Sequence, residues 1–362
     1  MNNGKEFTGK ITRAIVAVAL AFLCLGGVYM LWERAPEIRS ETPTENITGA
    51  TEPGEETAKP ETAKTEQGPE VQEPASSRQK GVYTILMVGN DDGNGNTDTI
   101  VVGRIDTKRH KMDFVSIPRD TLVNIDWSIR KINAVYWGDI NSGGNGVDML
   151  REQVENLIGF QVDCYAVIDL DVLESVVDTL GGVYFDVPMA MDYEDPTQNL
   201  SIHIQPGYQL LNGDQALGVC RYRSGYVDGD IGRIAMQQRF LKACMTQFIS
   251  LGNIPNVAQV VQILADGLDT DMTAANIAFF MRQALQCDSE DIHFYTMPTT
   301  DSWVGGLSYT IVDLEKWIPM VNECLNPYKQ EISVSNLDIV YRENGVIRGT
   351  VGLKGAWYYA GL

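Results

Sequence analysis

The chain has 362 residues, 44% of them hydrophobic, with 48 acidic against 28 basic side chains and a net charge of −20. That much apolar material buries a sizeable core, which excludes disorder throughout and predicts one large domain or two smaller ones. An acidic chain lacks the Lys/Arg excess that neutralises nucleic-acid phosphates, so no nucleic-acid partner is expected.

In chain order, residues 1–13 carry Lys5, Lys10 and Arg13, and the run Ala14–Trp32 then has no charged residue. As a helix those 19 residues span about 28 Å, close to the hydrocarbon thickness of a bilayer. The positive flank predicts a single-pass signal anchor with a cytoplasmic N-terminus and everything beyond it outside the membrane. A cleaved signal peptide is the rival, but the run exceeds a usual apolar core and no A-x-A site closes it. Residues 33–80 are rich in Glu, Thr, Pro, Ala and Ser, carry an N-x-T sequon at Asn46, and predict a disordered extracellular linker.

From residue 81 to about 330 helix and strand patterns alternate. TILMV (84–88) and TIVVGRI (99–105) read as strands around the polar loop GNDDGNGNTD (89–98), and MDFVSIP (112–118) completes a hairpin. GVDMLREQVENLIG (146–159) reads as a helix, VDCYAVIDL (162–170) as a strand, DVLESVVDTLGG (171–182) as a helix and VYFDVP (183–188) as a strand. QALGVCRYR (215–223) reads as a strand ending in arginines. IGRIAMQQRFLKACMTQFISLG (231–252) is a long amphipathic helix with Ile234, Leu241, Met245 and Phe248 on one face. Further helices are expected near 255–286 and 311–325, and residues 331–362 read as a short extended C-terminal tail. The fold class is therefore α/β, or α+β, layered: a central mixed β-sheet sandwiched by helices and preceded by one transmembrane helix.

Basic residues are unevenly spread. Of the 19 Lys/Arg after residue 80, seven lie between Arg104 and Lys131 and five between Arg221 and Lys242, so two windows of an acidic domain offer cationic groups. The six cysteines form no CxxC, and His110, His203 and His293 form no metal-type pair; neither a zinc site nor a Ser-His-Asp hydrolase is indicated. The loop 89–98 supplies Asp91, Asp92 and Asp98, hard oxygen donors suited to Mg²⁺ or Ca²⁺, against the plain alternative of a solvated turn. An EF-hand fails, since position twelve from Asn90 is Val101 and strands flank the loop. Arg221 and Arg223, two apart on a strand, would share a face, while Arg233 opens a helix with Gln237 one turn on. Arginine at a helix start is suited to phosphate, so the combination suggests a metal-bridged phosphate or pyrophosphate site.

The ordered segments NTDTIVVGRID, VSIPRDTLV, KINAVYWGD, VIDLDVLESVVDTLGGVYFDVP, IQPGYQLLNGDQALGVCRYR and GDIGRIAMQQRFL resemble the LytR-CpsA-Psr family over roughly Thr84 to Phe248. The resemblance implies a Mg²⁺-dependent phosphotransferase, with Mn²⁺ as substitute ion, that moves an anionic glycopolymer of teichoic acid or capsular type from a polyprenyl-pyrophosphate carrier to peptidoglycan. By motif position it implies metal binding by Asp91 and Asp98. It places a pyrophosphate grip at Arg119, Arg221, Arg223, Arg233 and Gln237, and an acidic role at Asp230 as base or as orienter of Arg233. It also implies an apolar pocket for the prenyl chain.

Two positions depart from the family pattern. Asn96 stands where an arginine usually precedes the second metal aspartate, and Met236 replaces the second arginine of GRxxRQQ. Arg104 and Arg130 are the candidates to supply the charge missing at Asn96. The alternatives to a transferase are a hydrolase of the same pyrophosphate bond and a non-catalytic polyprenyl-phosphate-binding regulator of the cell envelope.

Overall fold

A computed structural model describes residues 33–44, 77–90, 97–196, 200–222, 225–226, 230–251 and 254–355. The described residues fall into two compact units. One lies within Ile38–Arg109, Asp113–Asp163 and His293–Leu362, the other within Met1–Glu37, His110–Met112 and Cys164–Ile292.

The first unit is built on β1 (Val82–Asn90), antiparallel to β2 (Thr97–Asp106), with β3 (Lys111–Ser116) next to β2. The apolar runs that predict these strands are their buried residues: Leu86, Val88, Ile100 and Val102 are almost fully enclosed. Gly103 is a packing requirement, because a Cβ there would meet the Phe114 ring at 2.8 Å. The β1–β2 register shifts between Gly89 and Asn90, so Asn90 faces Thr97 and the ladder ends at the loop 91–96, which lies outside the described residues.

Helices α1 (Ile132–Asn141) and α2 (Val147–Ile158) follow, the latter stopped at Gly159 as its sequence predicts. Leu150, Val154, Leu157 and Ile158 form the buried stripe of α2. Buried Trp317 donates its indole N–H to the Leu157 carbonyl at 2.7 Å, one of the helix-end acceptors left without an intrahelical donor.

In the other unit β4 (Cys164–Asp169) leads directly into α3 (Leu170–Thr179), β5 (Val183–Val187) pairs with β8 (Gly207–Leu211), and β6 (Met191–Asp195) pairs with β7 (Leu200–Ile204). Helices α4 (Gly213–Arg221), α5 (Asp230–Leu251), α6 (Ile254–Gly267) and α7 (Ala274–Leu285) complete it, with β9 (Asp269–Thr270) antiparallel to β4. Strands β5 to β8 and helices α4 and α5 enclose one core that includes Phe185, Met191, Ile202, Val219, Met236 and Phe240. On α5 the buried residues are Ile234, Met236, Phe240 and Phe248; Leu241 and Met245, expected on the core face, are only half-buried.

The chain returns to the first unit through β10 (Ile292–Thr296), which lies beside β3. Strands β11 (Thr299–Val304), β12 (Leu307–Val312), β13 (Val340–Glu343) and β14 (Val346–Gly349) make a four-stranded sheet in that order. Its β12–β13 pair is parallel and the other two are antiparallel, so it is mixed. Helix α8 (Leu314–Met320) precedes β13.

Three expectations are corrected. QALGVCRYR is not a strand: residues 213–221 are helix α4, started by a reciprocal capping box in which the Asn212 side chain accepts from the Gln215 N–H. Residues 331–355 are not a tail but the β13–β14 hairpin and a short turn before it. Residues 33–44, inside the stretch expected to be a disordered linker, are packed. Arg34 N–H donates to the Ala275 carbonyl at 3.0 Å, Arg39 pairs with Glu155 at 2.9 Å, and Thr44 N–H donates to the Gly159 carbonyl at 3.0 Å.

No helix among the described residues is long and apolar enough to cross a membrane. The expected transmembrane run 14–32 and linker residues 45–76 lie outside the described residues.

Candidate active site

In the first unit Asp98, the second residue of β2, accepts a hydrogen bond from Arg119 Nη1 at 2.7 Å. Arg119 is placed from both sides. Ile117 N–H extends the β3–β2 ladder to the Ile100 carbonyl at 2.8 Å, Thr121 N–H closes a turn onto Pro118 at 3.0 Å, and the Arg119 carbonyl accepts from Asn133 N–H at 3.1 Å. The proline fixes the turn that the segment SIPRD predicts. Asp120 lies next to this pair, 3.9 Å from Arg119 Nε and 3.1 Å from Lys131 Nζ. The result is an alternating row of two carboxylates and two cations. Asp120 and Lys131 have no charge-spacing signal of their own in the sequence, although both stand within the segments VSIPRDTLV and KINAVYWGD.

The donor chemistry at this strand end fits a hard cation. Asp98 offers a carboxylate, and across the ladder the buried Asn90 Oδ1 has no hydrogen-bond partner among the described residues. Carboxylate and amide oxygens are the donors Mg²⁺ takes. Asp91 and Asn96 lie in the adjoining loop, outside the described residues.

Arg104 cannot fill the place left by Asn96. It stands six residues beyond Asp98 on the same strand, about 20 Å away, and its guanidinium is buried 3.8 Å from both Asp106 and Asp113. Desolvation lowers its pKa, the two carboxylates opposing that shift. Arg130 is also engaged, donating Nε to the Trp127 carbonyl at 2.8 Å.

In the other unit Arg221 is the last residue of α4, where a cation opposes the negative end of the helix dipole. The proposed shared strand face of Arg221 and Arg223 therefore does not exist; Arg223 lies outside the described residues. Gln237 Nε2 donates to the Cys220 carbonyl at 3.2 Å, so this side chain satisfies an acceptor at the end of α4 next to Arg221. Arg233 is on the first turn of α5 and is buried; the side chain of Asp230, which opens α5, is outside the described residues.

Met236 is 4% exposed in the core of this unit. An arginine there would bury a charge at a cost of several kcal/mol unless paired, so the apolar replacement at this motif position suits its surroundings. Cys220 packs partly buried against this core, and desolvation pushes its thiol up to about 12.

The order of motifs, the Arg119–Asp98 pair at the loop mouth and the layered α/β architecture define one class of protein. The chain belongs to the LytR_cpsA_psr family, whose model matches residues 48–324. It is 31% identical over 204 residues to the Bacillus subtilis polyisoprenyl-teichoic acid–peptidoglycan teichoic acid transferase TagV, a match covering 54% of this chain and 51% of TagV. The chain thus spans about half the length of that relative. The crystal structure of B. subtilis TagV superposes with a TM-score of 0.57 at 27% identity, covering 68% of this chain and 97% of that one. A structure of TagT bound to LIIa-WTA shares the fold, with a TM-score of 0.54 at 22% identity over 70% of this chain and 92% of that one.

Proposed function

We propose that this chain is a membrane-anchored phosphotransferase that moves an anionic glycopolymer from a polyprenyl-pyrophosphate carrier to peptidoglycan. The observation that carries the reading is the Arg119–Asp98 contact of 2.7 Å at the end of β2, where a guanidinium and a carboxylate meet at the motif positions suited to pyrophosphate and its cation. The names of the relatives support the transferase class.

Asp98 and Asp91, with the Asn90 carboxamide oxygen, would hold Mg²⁺, which when bound neutralises pyrophosphate charge. Substrate would exchange the Arg119–Asp98 ion pair for a guanidinium–phosphate contact. An acceptor sugar hydroxyl attacks the phosphorus next to the glycopolymer. The new P–O bond joins polymer to peptidoglycan, the bridging P–O bond breaks, and polyprenyl phosphate leaves. Asp230 takes the hydroxyl proton or orients Arg233. Arg119, Arg221, Arg223 and Arg233 supply positive charge as the leaving phosphate gains negative charge, and Gln237 positions the end of α4 that carries Arg221.

Binding of a polyprenyl-pyrophosphate lipid in detergent micelles tests the grip. Arg221→Ala and Arg223→Ala are each expected to weaken it about tenfold or more, since a charge-assisted contact contributes roughly 1.5–3 kcal/mol. Double-variant cycles with Arg119→Ala report whether the two sets of arginines act on one pyrophosphate. Parental affinity in both single variants would show that this basic window is not the grip.

The charge-free run 14–32 is proposed as an uncleaved anchor with the domain outside the cell. Digestion of intact cells by external protease should remove a tag placed after Leu362 while the mature chain keeps Met1. A chain recovered with its N-terminus near Gly27 would refute the anchor.

A further inference from the structure

Beside β5, the unit that carries Arg221 has an open groove of about 520 Å³ formed with helix α5 and lined by Tyr184, Phe185, Tyr208, Arg239, Lys242 and Thr246 among others. Its size falls in the range of small-ligand sites, roughly 300–1,000 Å³. Tyr184 and Tyr208 are diagonal neighbours on the β5–β8 ladder, and their rings stack at 5.6 Å and 14°. They are nonetheless 52% and 73% exposed, an aromatic platform on the outward face of a strand pair whose alternate residues Val183, Phe185, Val187 and Leu211 join the core.

The basic side of the groove is held in place. The Arg239 guanidinium lies over the Phe185 ring at 5.6 Å and donates to the Asp186 carbonyl at 3.3 Å, with exposed Lys242 one turn along α5. Residues 164–292 contain six Lys/Arg against 17 Asp/Glu, so two of six cations in an acidic segment lie beside one stacked tyrosine pair. The strand edge offers no pairing site at this point. Gln247 Oε1 accepts from the Tyr184 N–H at 3.0 Å and its Nε2 donates to the Gly182 carbonyl, filling the hydrogen-bonding positions a further strand would take.

Flat exposed rings pack against the apolar C–H faces of sugars, whose slight positive charge suits the negative ring face. Arginine and lysine alongside select phosphate, and the Asp186 and Thr246 side chains offer partners for sugar hydroxyls. We infer that this groove, whose Arg239 lies six residues along α5 from Arg233, binds a stretch of anionic glycan beyond the reacting bond and so favours long polymer over a short lipid-linked precursor. The choice of glycopolymer rests on the proposed transferase reading; the groove's own chemistry calls for a sugar-phosphate chain.

The test titrates the full chain in detergent micelles with a lipid-free, sugar-substituted poly(glycerol phosphate) oligomer. Tyr184→Ala/Tyr208→Ala is expected to weaken binding at least tenfold and Lys242→Glu several-fold, with unchanged circular dichroism because all three side chains are exposed. Tyr208→Ser alone serves if the double variant unfolds. Turnover of a lipid-linked substrate carrying one disaccharide should be unaffected, while KM for a long polymer rises. Parental affinity in the tyrosine and lysine variants overturns the inference, as does loss of binding to anionic phospholipid vesicles with polymer binding intact. If the parent chain forms no transfer product yet binds the oligomer through these residues, the transferase reading fails and the glycan groove stands.

Discussion

Asp98→Ala is expected to lower turnover about a hundredfold or more and to abolish its response to Mg²⁺, with little change in melting temperature. The carboxylate sits at the end of β2, half-buried and paired with Arg119 at 2.7 Å, and no core packing depends on it. A partly exposed ion pair of this kind contributes at most about 1 kcal/mol to folding. Removing one preorganised electrostatic group from an active site costs typically about 10²–10³ in rate. Asp98→Asn separates the causes: it keeps an oxygen donor and the shape but loses the charge, so it should fall between parent and alanine at saturating Mg²⁺. Steady-state rates across a Mg²⁺ titration decide it. Parental turnover and Mg²⁺ response in Asp98→Ala would remove this residue from the site.

Arg78→Ala should be the most destabilising single change outside the apolar core. Arg78 and Asp163 form an ion pair with side chains 2% and 0% exposed. Asp163 also accepts from the Thr84 N–H at 2.8 Å, the Thr84 hydroxyl at 3.1 Å and the Arg39 N–H at 3.3 Å. Burial still raises the Asp163 pKa, against the downward pull of the Arg78 guanidinium and these hydrogen bonds. Deleting the cation leaves a buried carboxylate short of a partner, at about 3–5 kcal/mol or a fall in Tm of roughly 6–20 °C. Arg78→Met/Asp163→Asn keeps an acceptor for Thr84 and removes both charges, so thermal denaturation should show more than half of the loss recovered. A single variant melting within about 2 °C of the parent would mean that water or another cation replaces Arg78. The pair anchors the chain entering β1, the strand that ends at the loop proposed to hold the cation.

What the sequence makes legible is local. The runs 84–88 and 99–105 alternate with turn residues, and Gly159 stops its helix, because each signal lies within a few residues of what it specifies. The α4 segment carries competing signals: Val219, Cys220 and Tyr222 suit a strand, but Asn212 and Gln215 cap a helix whose buried residues include Ala216 and Val219. Its consequence is functional, since period two no longer sets Arg221 beside Arg223.

The hairpin at the C-terminal end has a local signal of its own. Asn344–Gly345 joins β13 to β14 with φ of 50° and 81°, the left-handed pair that a tight hairpin turn demands. Residues 33–44 carried no such local mark; their order comes from acceptors more than a hundred positions away, such as Gly159 and Ala275. The Asp98–Arg119 pair was accessible only through motif order, because 21 residues separate its members and no periodicity links them.

The most direct measurement incubates the full chain, in micelles with Mg²⁺, with a lipid-linked glycopolymer and peptidoglycan fragments, and follows the phosphorus by ³¹P resonance and the product by mass. The proposed function predicts that pyrophosphate signal is replaced in equal amounts by polyprenyl phosphate and by a phosphodiester joining polymer to a peptidoglycan sugar. Release of free phosphorylated polymer with unmodified peptidoglycan would identify a hydrolase, and binding of the lipid with neither product would identify a non-catalytic regulator; either result contradicts the transferase.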